Sequence, residues 1–147
     1  MQIDFYILAE HSRRDINRMV CQLCEKAIAQ KMQTIIYTKS MAQAEQLDDL
    51  LWSFKAESFL VHSNESHQNN MSYSFSYPIL IYSEIVDKAM TESYPFLINL
   101  SNEIPEFFQD FTRMAELVNI YPEEKQAARK RYRFYLDAGH QLAKHDL

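Results

Sequence analysis

Short apolar runs that alternate with amphipathic stretches limit the possible folds of this chain more than any other feature of its sequence. Gln2 to Leu8, Thr34 to Thr38, Pro78 to Tyr82 and Pro95 to Leu100 are rich in aromatic and β-branched residues and predict strands. Ile79 to Ile81 is apolar throughout, which is typical of a strand covered on both faces. Strands that alternate with helices favour a mostly parallel sheet. We therefore expect an α/β fold with helices on both faces of the sheet.

Four stretches between these runs predict helices. They span about 15–30, 40–52, 105–118 and from about 122 past Gly139. Asp15 or Ser12 is expected to cap the first helix, and Ser40 with Gln43 three residues later forms a capping box for the second. A proline opens each of the other two, because its fixed φ suits a first helical turn.

The remaining stretches carry weaker patterns. Phe59 to Val61 predicts a short strand or an ordered turn. Asn64 to Ser74 predicts an exposed loop, because most of its residues are polar. Glu84 to Ser93 is ambiguous. Length and the lack of a low-complexity linker predict one domain over residues 1–147, with an ordered core at about 2–143.

Gly139 is the single glycine of the 147 residues. Loops that hold nucleotide phosphates need glycines so that the backbone can approach the phosphate. The composition therefore excludes a Walker loop and a dinucleotide fingerprint. No apolar run approaches the ~20 residues of a membrane span, and no signal peptide is evident. We expect a cytoplasmic protein.

Cys21 and Cys24 form a C-x-x-C pair, but they lie inside a predicted helix and have no second pair. A structural zinc site usually needs four ligands. We expect Cys24 to belong to the core, and we predict no metal and no cofactor. The five histidines are scattered without ligand spacing. No nucleophile, base and oxyanion donor can be assembled from the sequence, so we predict no catalytic residues.

The last predicted helix carries most of the local positive charge. Between Glu123 and Arg133 there are five bases and two acids, whereas the whole chain has a formal net charge of −5. At helical spacing Lys125, Arg129, Tyr132 and Arg133 project from one side. We call these four residues the cationic ridge.

Two interpretations of the cationic ridge remain open at this stage. It is either a solvated helix face whose bases pair with neighbouring acids, or a docking site for an anionic peptide or a phosphate backbone. Arginine holds carboxylates in bidentate geometry. Duplex DNA usually needs a wider basic footprint, so a short acidic peptide fits better in size and sign. Val118 and Tyr121 precede the helix and could wall an apolar pocket.

Trp52 and Phe59 lie at or beyond the end of the second predicted helix. Large aromatic side chains at such positions either complete the edge of the core or form an exposed anchor for a partner. The sequence pattern leaves both possibilities open.

The ordered set of motifs resembles the chi subunit of bacterial DNA polymerase III holoenzyme over nearly the full length. The motifs are FYIL, Trp52, AESF at 56–59, PFLINLS, and YPEEKQAARKRYRFYLDAG at 121–139. The resemblance implies a single Rossmann-like domain without nucleotide chemistry. It also implies a non-catalytic accessory subunit of a DNA-directed DNA polymerase, located at the replisome on the bacterial nucleoid.

The resemblance also implies partners. Members of this family link the psi subunit of the clamp loader to the acidic C-terminal tail of single-stranded DNA-binding protein, which ends in phenylalanine. The tail-binding positions of the family match Val118, Lys125, Arg129 and Tyr132. Arg133 stands where a lysine is also seen, which keeps the charge.

The psi-facing positions of the family match Trp52 and Phe59. In some bacteria a repair helicase is thought to use the same surface, so the clamp loader and the helicase are alternative partners. No direct contact with DNA is expected. The loop around 64–76 and the chain after Gly139 depart from the family pattern. The alternative from another functional class is that the protein is an α/β enzyme that acts on an anionic substrate at the cationic ridge.

Overall fold

The structure is a computed structural model that describes residues 1–9, 15–53, 62–64, 79–83 and 92–147, with the side chains of 52, 53 and 62–64 left undescribed. Within these ranges seven strands form one sheet. They are β1 (Gln2–Ile7), β2 (Thr34–Tyr37), β3 (His62–Asn64), β4 (Ile79–Tyr82), β5 (Phe96–Asn99), β6 (Arg113–Val118) and β7 (Gln141–Asp146). Their order is β3-β4-β2-β5-β6-β1-β7, and each pairing is parallel.

Burial on both faces explains why the central strands are apolar runs. All four residues of β4 and all four of β5 are buried, so neither strand shows an alternating pattern. The predicted α/β fold with a mostly parallel sheet is confirmed, and Rossmann-like is a loose but compatible description of it.

In the described ranges three α-helices pack on this sheet: α1 (Ile16–Ala29), α2 (Met41–Ser53) and α3 (Pro122–Asp137). The Asp15 side chain accepts a hydrogen bond of 2.8 Å from the Asn17 amide, as predicted for the N-cap of α1. At the start of α2, Ser40 Oγ accepts from the Gln43 amide, while Gln43 Oε1 accepts from the Lys39 amide. The predicted capping box therefore forms, with its return bond shifted by one residue.

The helices cover both faces of the sheet, as predicted. α1 and α2 contribute to the core on one face. α3 contributes to the core on the other face, together with a 3-10 turn at Phe108–Asp110. None of the helices in the described part of the chain is long and apolar enough to span a membrane.

The prediction of a helix at about 105–118 is wrong. Phe107, Phe108 and Phe111 lie in and around the 3-10 turn, and Met114 to Val118 belong to β6. The apolar residues happened to recur at helical spacing. β6 is paired on both sides and buried on both faces, which removes the alternation that identifies a strand.

The prediction that the last helix continues past Gly139 is also wrong. α3 ends at Asp137, and Gly139 has a φ of +92°. The Gly139 amide donates to the Leu136 carbonyl and the His140 amide to the Tyr135 carbonyl, which is the hydrogen-bond pattern of a Schellman motif. The chain then turns into β7 at the edge of the sheet.

Several predictions fall outside the described residues. These are the short strand or turn at Phe59 to Val61, and the predicted loop apart from Asn64, which belongs to β3. Most of Glu84 to Ser93 is also outside. The prediction of one domain over residues 1–147 stays a prediction.

Candidate functional site

The start of α3 is fixed by proline and by a partly buried acid. Pro122 occupies the first turn after Tyr121, whose side chain does not cap the helix. Glu124 Oε1 accepts hydrogen bonds from Lys39 Nζ at 3.1 Å and from Asn102 Nδ2 at 2.9 Å. Both donors lie in loops after strands of the sheet, so the first turn of α3 is held against the carboxyl edge of the sheet.

A buried polar cluster fixes the middle of α3. The Glu116 carboxylate on β6 accepts from Arg131 Nε at 3.2 Å, from Tyr135 Oη at 2.6 Å and from Asn99 Nδ2 at 3.1 and 3.0 Å. Ser101 Oγ donates in turn to Asn99 Oδ1 at 2.7 Å. Two strands and one helix are thereby joined through a single carboxylate.

Burial dominates the electrostatics of this cluster. Burial raises the pKa of the Glu116 carboxyl, and the Arg131 guanidinium and the hydrogen bonds from Tyr135 and Asn99 oppose that shift. Burial and the neighbouring Glu116 also raise the pKa of the Tyr135 hydroxyl. This cluster was not predicted from the sequence. Its signal was Glu116 itself, a lone acid inside the apolar run MAELV.

A pocket of about 400 Å³ opens between α3 and the edge of the sheet formed by β6, β1 and β7. Its lining combines apolar and charged side chains: Phe5, Ile7, Val118, Lys125, Ala128, Arg129, Tyr132, Lys144 and Asp146. α3 follows β6 directly, so its N-terminal half lies over the carboxyl ends of the strands. In open parallel sheets, ligands usually bind at such carboxyl ends.

The floor of the pocket is apolar and largely buried. Phe5 and Val118 are 1% exposed, and Ala128 is also buried. The Tyr132 ring meets the Phe5 ring edge to face, with centroids 5.2 Å apart. The centroid of the Tyr135 ring lies 6.1 Å from that of Phe5, so the buried cluster supports the pocket floor.

The walls of the pocket are cationic. Lys125 and Arg129 lie one turn apart on α3, and Lys144 lies on β7; Asp146 is the acid of the lining. Within the described ranges, no carboxylate lies within ion-pair distance of Lys125, Arg129 or Lys144. An anion with an apolar group attached matches this lining, because three cations surround an apolar floor.

The structure brings four of the five predicted tail-binding residues together, since Val118, Lys125, Arg129 and Tyr132 all line the pocket. Arg133 instead pairs with Asp137 one turn further along α3, with Nε and Oδ2 3.4 Å apart. The interpretation in which ridge bases pair with neighbouring acids therefore holds for Arg133. It does not hold for Lys125 and Arg129 among the described contacts.

One wall of the pocket was not predicted from the sequence. Phe5 and Ile7 were predicted only as strand residues, and Lys144 and Asp146 were placed in or beyond the end of the last predicted helix. Gly139 was the available signal, because a glycine just past a helical pattern usually ends the helix.

The second predicted surface lies mostly outside the described residues. Trp52 belongs to the last turn of α2 and its side chain is not described, and Phe59 is outside. The assignment of both residues to a partner interface stays a prediction.

Cys21 and Cys24 are buried free thiols on the inner face of α1. The core position predicted for Cys24 is confirmed. Burial raises the pKa of the Cys21 thiol to about 12 and also raises that of Cys24. Among the described residues, no group of three or more histidine, cysteine, aspartate or glutamate side chains is placed to hold a metal ion.

Two solved structures share the fold. The crystal structure of T4 UvsW aligns with a TM-score of 0.65 at 8% sequence identity, over 99% of this chain and 41% of that one. The DUF1998 helicase MrfA, bound to DNA and AMPPNP, aligns with a TM-score of 0.58 at 10% identity, over 95% of this chain and 23% of that one. At identities this low, the likeness concerns the fold alone.

Sequence comparison identifies full-length relatives. The family described as DNA polymerase III chi subunit, HolC, matches residues 1–143. The DNA polymerase III subunit chi of Pseudomonas aeruginosa is 34% identical, over 99% of this chain and 96% of its own length. Those of Haemophilus influenzae and Escherichia coli are 30% and 26% identical, over 88% and 94% of this chain and 85% and 92% of their own lengths. The resemblance inferred from the motifs is thus confirmed, and the chain belongs to the family of DNA polymerase III chi subunits.

Proposed function

We propose that this replication protein is a non-catalytic adaptor that binds the acidic C-terminal tail of single-stranded DNA-binding protein in the pocket between α3 and β7. Through a second surface it connects that tail to the psi subunit of the polymerase III clamp loader. The observation that carries the proposal is the pocket itself, where three cations that form no ion pair with any described residue surround an apolar floor. The protein acts in the cytoplasm at the replisome, without contacting DNA directly.

Each part of such a tail has a complementary group in the pocket. Arg129 receives the terminal carboxylate in a bidentate pair, since guanidinium and carboxylate match in geometry. The phenylalanine ring lies against Val118 and Tyr132. Lys125 attracts the upstream aspartates, and Arg133 adds long-range attraction from the rim, where its pairing with Asp137 is solvent-exposed.

The size of the pocket implies modest affinity. A few residues of peptide bury far less area than a stable protein interface, and part of the attraction is screened by salt. We expect a dissociation constant of roughly micromolar for an isolated tail peptide. Higher salt weakens binding, because the attraction involves exposed charges.

The decisive experiment is a fluorescence titration with a short acidic peptide that ends in phenylalanine with a free carboxylate. Loss of one charge-assisted bidentate contact costs about 1.5–3 kcal/mol, so Arg129→Ala lowers affinity by roughly 10- to 150-fold. Lys130→Ala is the matched control: Lys130 is the next residue on α3, is exposed and lies outside the pocket lining. Normal binding by Arg129→Ala would refute the assignment of the site.

The second surface is assigned to Trp52 and Phe59. Replacing either with alanine should reduce capture of the psi subunit and leave the tail titration unchanged. If the same surface binds a repair helicase and not psi, the protein is still an adaptor, but its partner is the helicase. If both variants retain psi and the helicase, this surface is elsewhere.

A further inference from the structure

The edge strand β7 forms a wall of the pocket opposite α3. In the parallel pairing of β1 with β7, Lys144 is opposite Phe5 and Asp146 is opposite Ile7. All four side chains line the pocket. His145, between them, lies on the other face, where it stacks on Tyr6 at 4.6 Å. The alternation of the strand therefore directs Lys144 and Asp146 toward α3.

The pocket has an inner and an outer level. Tyr132 contacts Phe5, so the neighbour of Phe5 on β7, Lys144, lies at the inner level. Ile7 pairs with Val118 at the end of β6 and with Asp146 on β7, which places Asp146 at the outer level near the carboxyl ends of the strands.

The same two levels occur on α3. Lys125 is in the first turn of α3, close to the carboxyl ends of the strands, and Arg129 is one turn further along. One helical turn of four residues advances about 6 Å, and two residues of a strand advance about 6.6 Å. Arg129 and Lys144 therefore oppose each other at the inner level, and Lys125 opposes Asp146 at the outer level.

We propose that Lys144 is a second ligand of the terminal carboxylate and faces Arg129 across the pocket; this inference rests on the proposed function. Asp146 at the outer level repels acidic side chains of the peptide and directs them toward Lys125 on α3. The pocket thus selects peptides by the positions of their acidic groups. One anion binds at the inner level, between the two walls, and the other acidic groups bind beside the helix only.

Two features of the structure support these roles. Lys144 is not engaged elsewhere among the described residues, because no carboxylate, including Asp146, lies within ion-pair distance of it. β7 itself is held in place independently of the pocket, since His145 Nε2 lies 3.2 Å from Asp4 Oδ1 on the opposite face. A ligand that pairs with Lys144 therefore breaks no existing ion pair.

The test measures binding of two peptides that differ only at the C-terminus, a free carboxylate or an amide. Lys144→Gln should weaken the free-acid peptide by about fivefold and change the amidated peptide by less than about twofold. Asp146→Asn should strengthen both peptides by about two- to threefold, because the repelled acids are upstream. Lys130→Ala serves again as the control and should change neither.

The outcomes separate this inference from the proposed function. If the unmodified protein binds neither peptide, the proposed function fails and this inference fails with it. If the unmodified protein binds the free acid but Lys144→Gln weakens both peptides equally, or neither, Lys144 is not a carboxylate ligand while the tail site stands. If Asp146→Asn weakens binding, the role assigned to Asp146 is wrong.

Discussion

Removal of the Glu116 carboxylate should destabilise this protein more than any surface change on α3. Glu116 is fully buried and the Arg131 side chain is 4% exposed. The bond from Arg131 Nε to Glu116 is the one hydrogen bond that the guanidinium makes among the described residues. Glu116→Ala would leave the buried Arg131 guanidinium without an acceptor among the described residues. It would also remove the acceptor of Tyr135 Oη and one of the two acceptors of Asn99 Nδ2, which keeps its bond to the Glu103 carbonyl.

The expected loss follows from the burial of this pair. Breaking a buried ion pair by deleting one partner costs about 3–5 kcal/mol. Total stabilities of single domains are about 5–15 kcal/mol, so the loss is a large fraction of the whole. For a chain of this length, a loss of about 1 kcal/mol in unfolding free energy lowers the midpoint of thermal unfolding by about 2–4 °C. The midpoint of the variant should therefore fall by about 6–20 °C.

A second pair on the same helix provides the control. Arg133 and Asp137 are 76% and 64% exposed, with 3.4 Å between Nε and Oδ2. Arg133→Ala should leave the unfolding free energy almost unchanged, because exposed i, i+4 pairs contribute little. Urea unfolding followed by circular dichroism measures both variants on one scale.

The double variant Glu116→Leu with Arg131→Met tests the reasoning further. Replacing both charges with apolar groups removes the unpaired charge, so stability should recover most of the loss. A cost of less than about 1 kcal/mol for Glu116→Ala, or a double variant as unstable as the single one, would refute the role of the buried pair. Tail binding at low temperature should survive in the double variant, since neither residue lines the pocket.

Two further predictions concern the core and the end of α3. Cys21 and Cys24 should resist iodoacetamide at pH 8 in the native protein and react promptly in urea, because burial raises both thiol pKa values and the thiolate is the reactive form; fast native alkylation would contradict their placement. Gly139→Ala should cost about 1–2 kcal/mol in urea unfolding, because the φ of +92° strains an alanine; beyond the adjacent residues, no described heavy atom lies within 4 Å of an added Cβ. An unchanged midpoint would show that the backbone relaxes there.

The buried cluster and the pocket are linked through shared residues of α3. Tyr135 donates to Glu116 and also contacts Phe5, whose other neighbour is Tyr132 in the pocket. Lys125 and Arg129 are therefore presented by a helix fixed at its first turn through Glu124 and at its middle through Glu116. A pocket whose shape exists before the ligand arrives loses less entropy on binding.

The candidate site could be predicted in part from the sequence. The cationic ridge follows from helical periodicity, and Lys125, Arg129 and Tyr132 do lie on one face of α3 and line one pocket. Arg133 shares the periodicity but pairs with Asp137. The opposite wall could not be predicted, because Lys144 and Asp146 reach the pocket only through the pairing of β7 with β1. The paired residues Phe5 and Lys144 are 139 positions apart in the sequence.

The sequence by itself determined the class of fold and the limits on its chemistry. Its apolar runs and capping residues specified β1, β2, β4, β5, α1 and α2, since these signals are local, and its single glycine excluded a Walker loop and a dinucleotide fingerprint. Only the tertiary structure decided that β6 and β7 are strands. β6 is covered on both faces and so lacks alternation, and β7 is an exposed edge strand whose polar residues give no strand signal. Long-range pairing supplied what the local pattern lacked, and with it the second wall of the pocket.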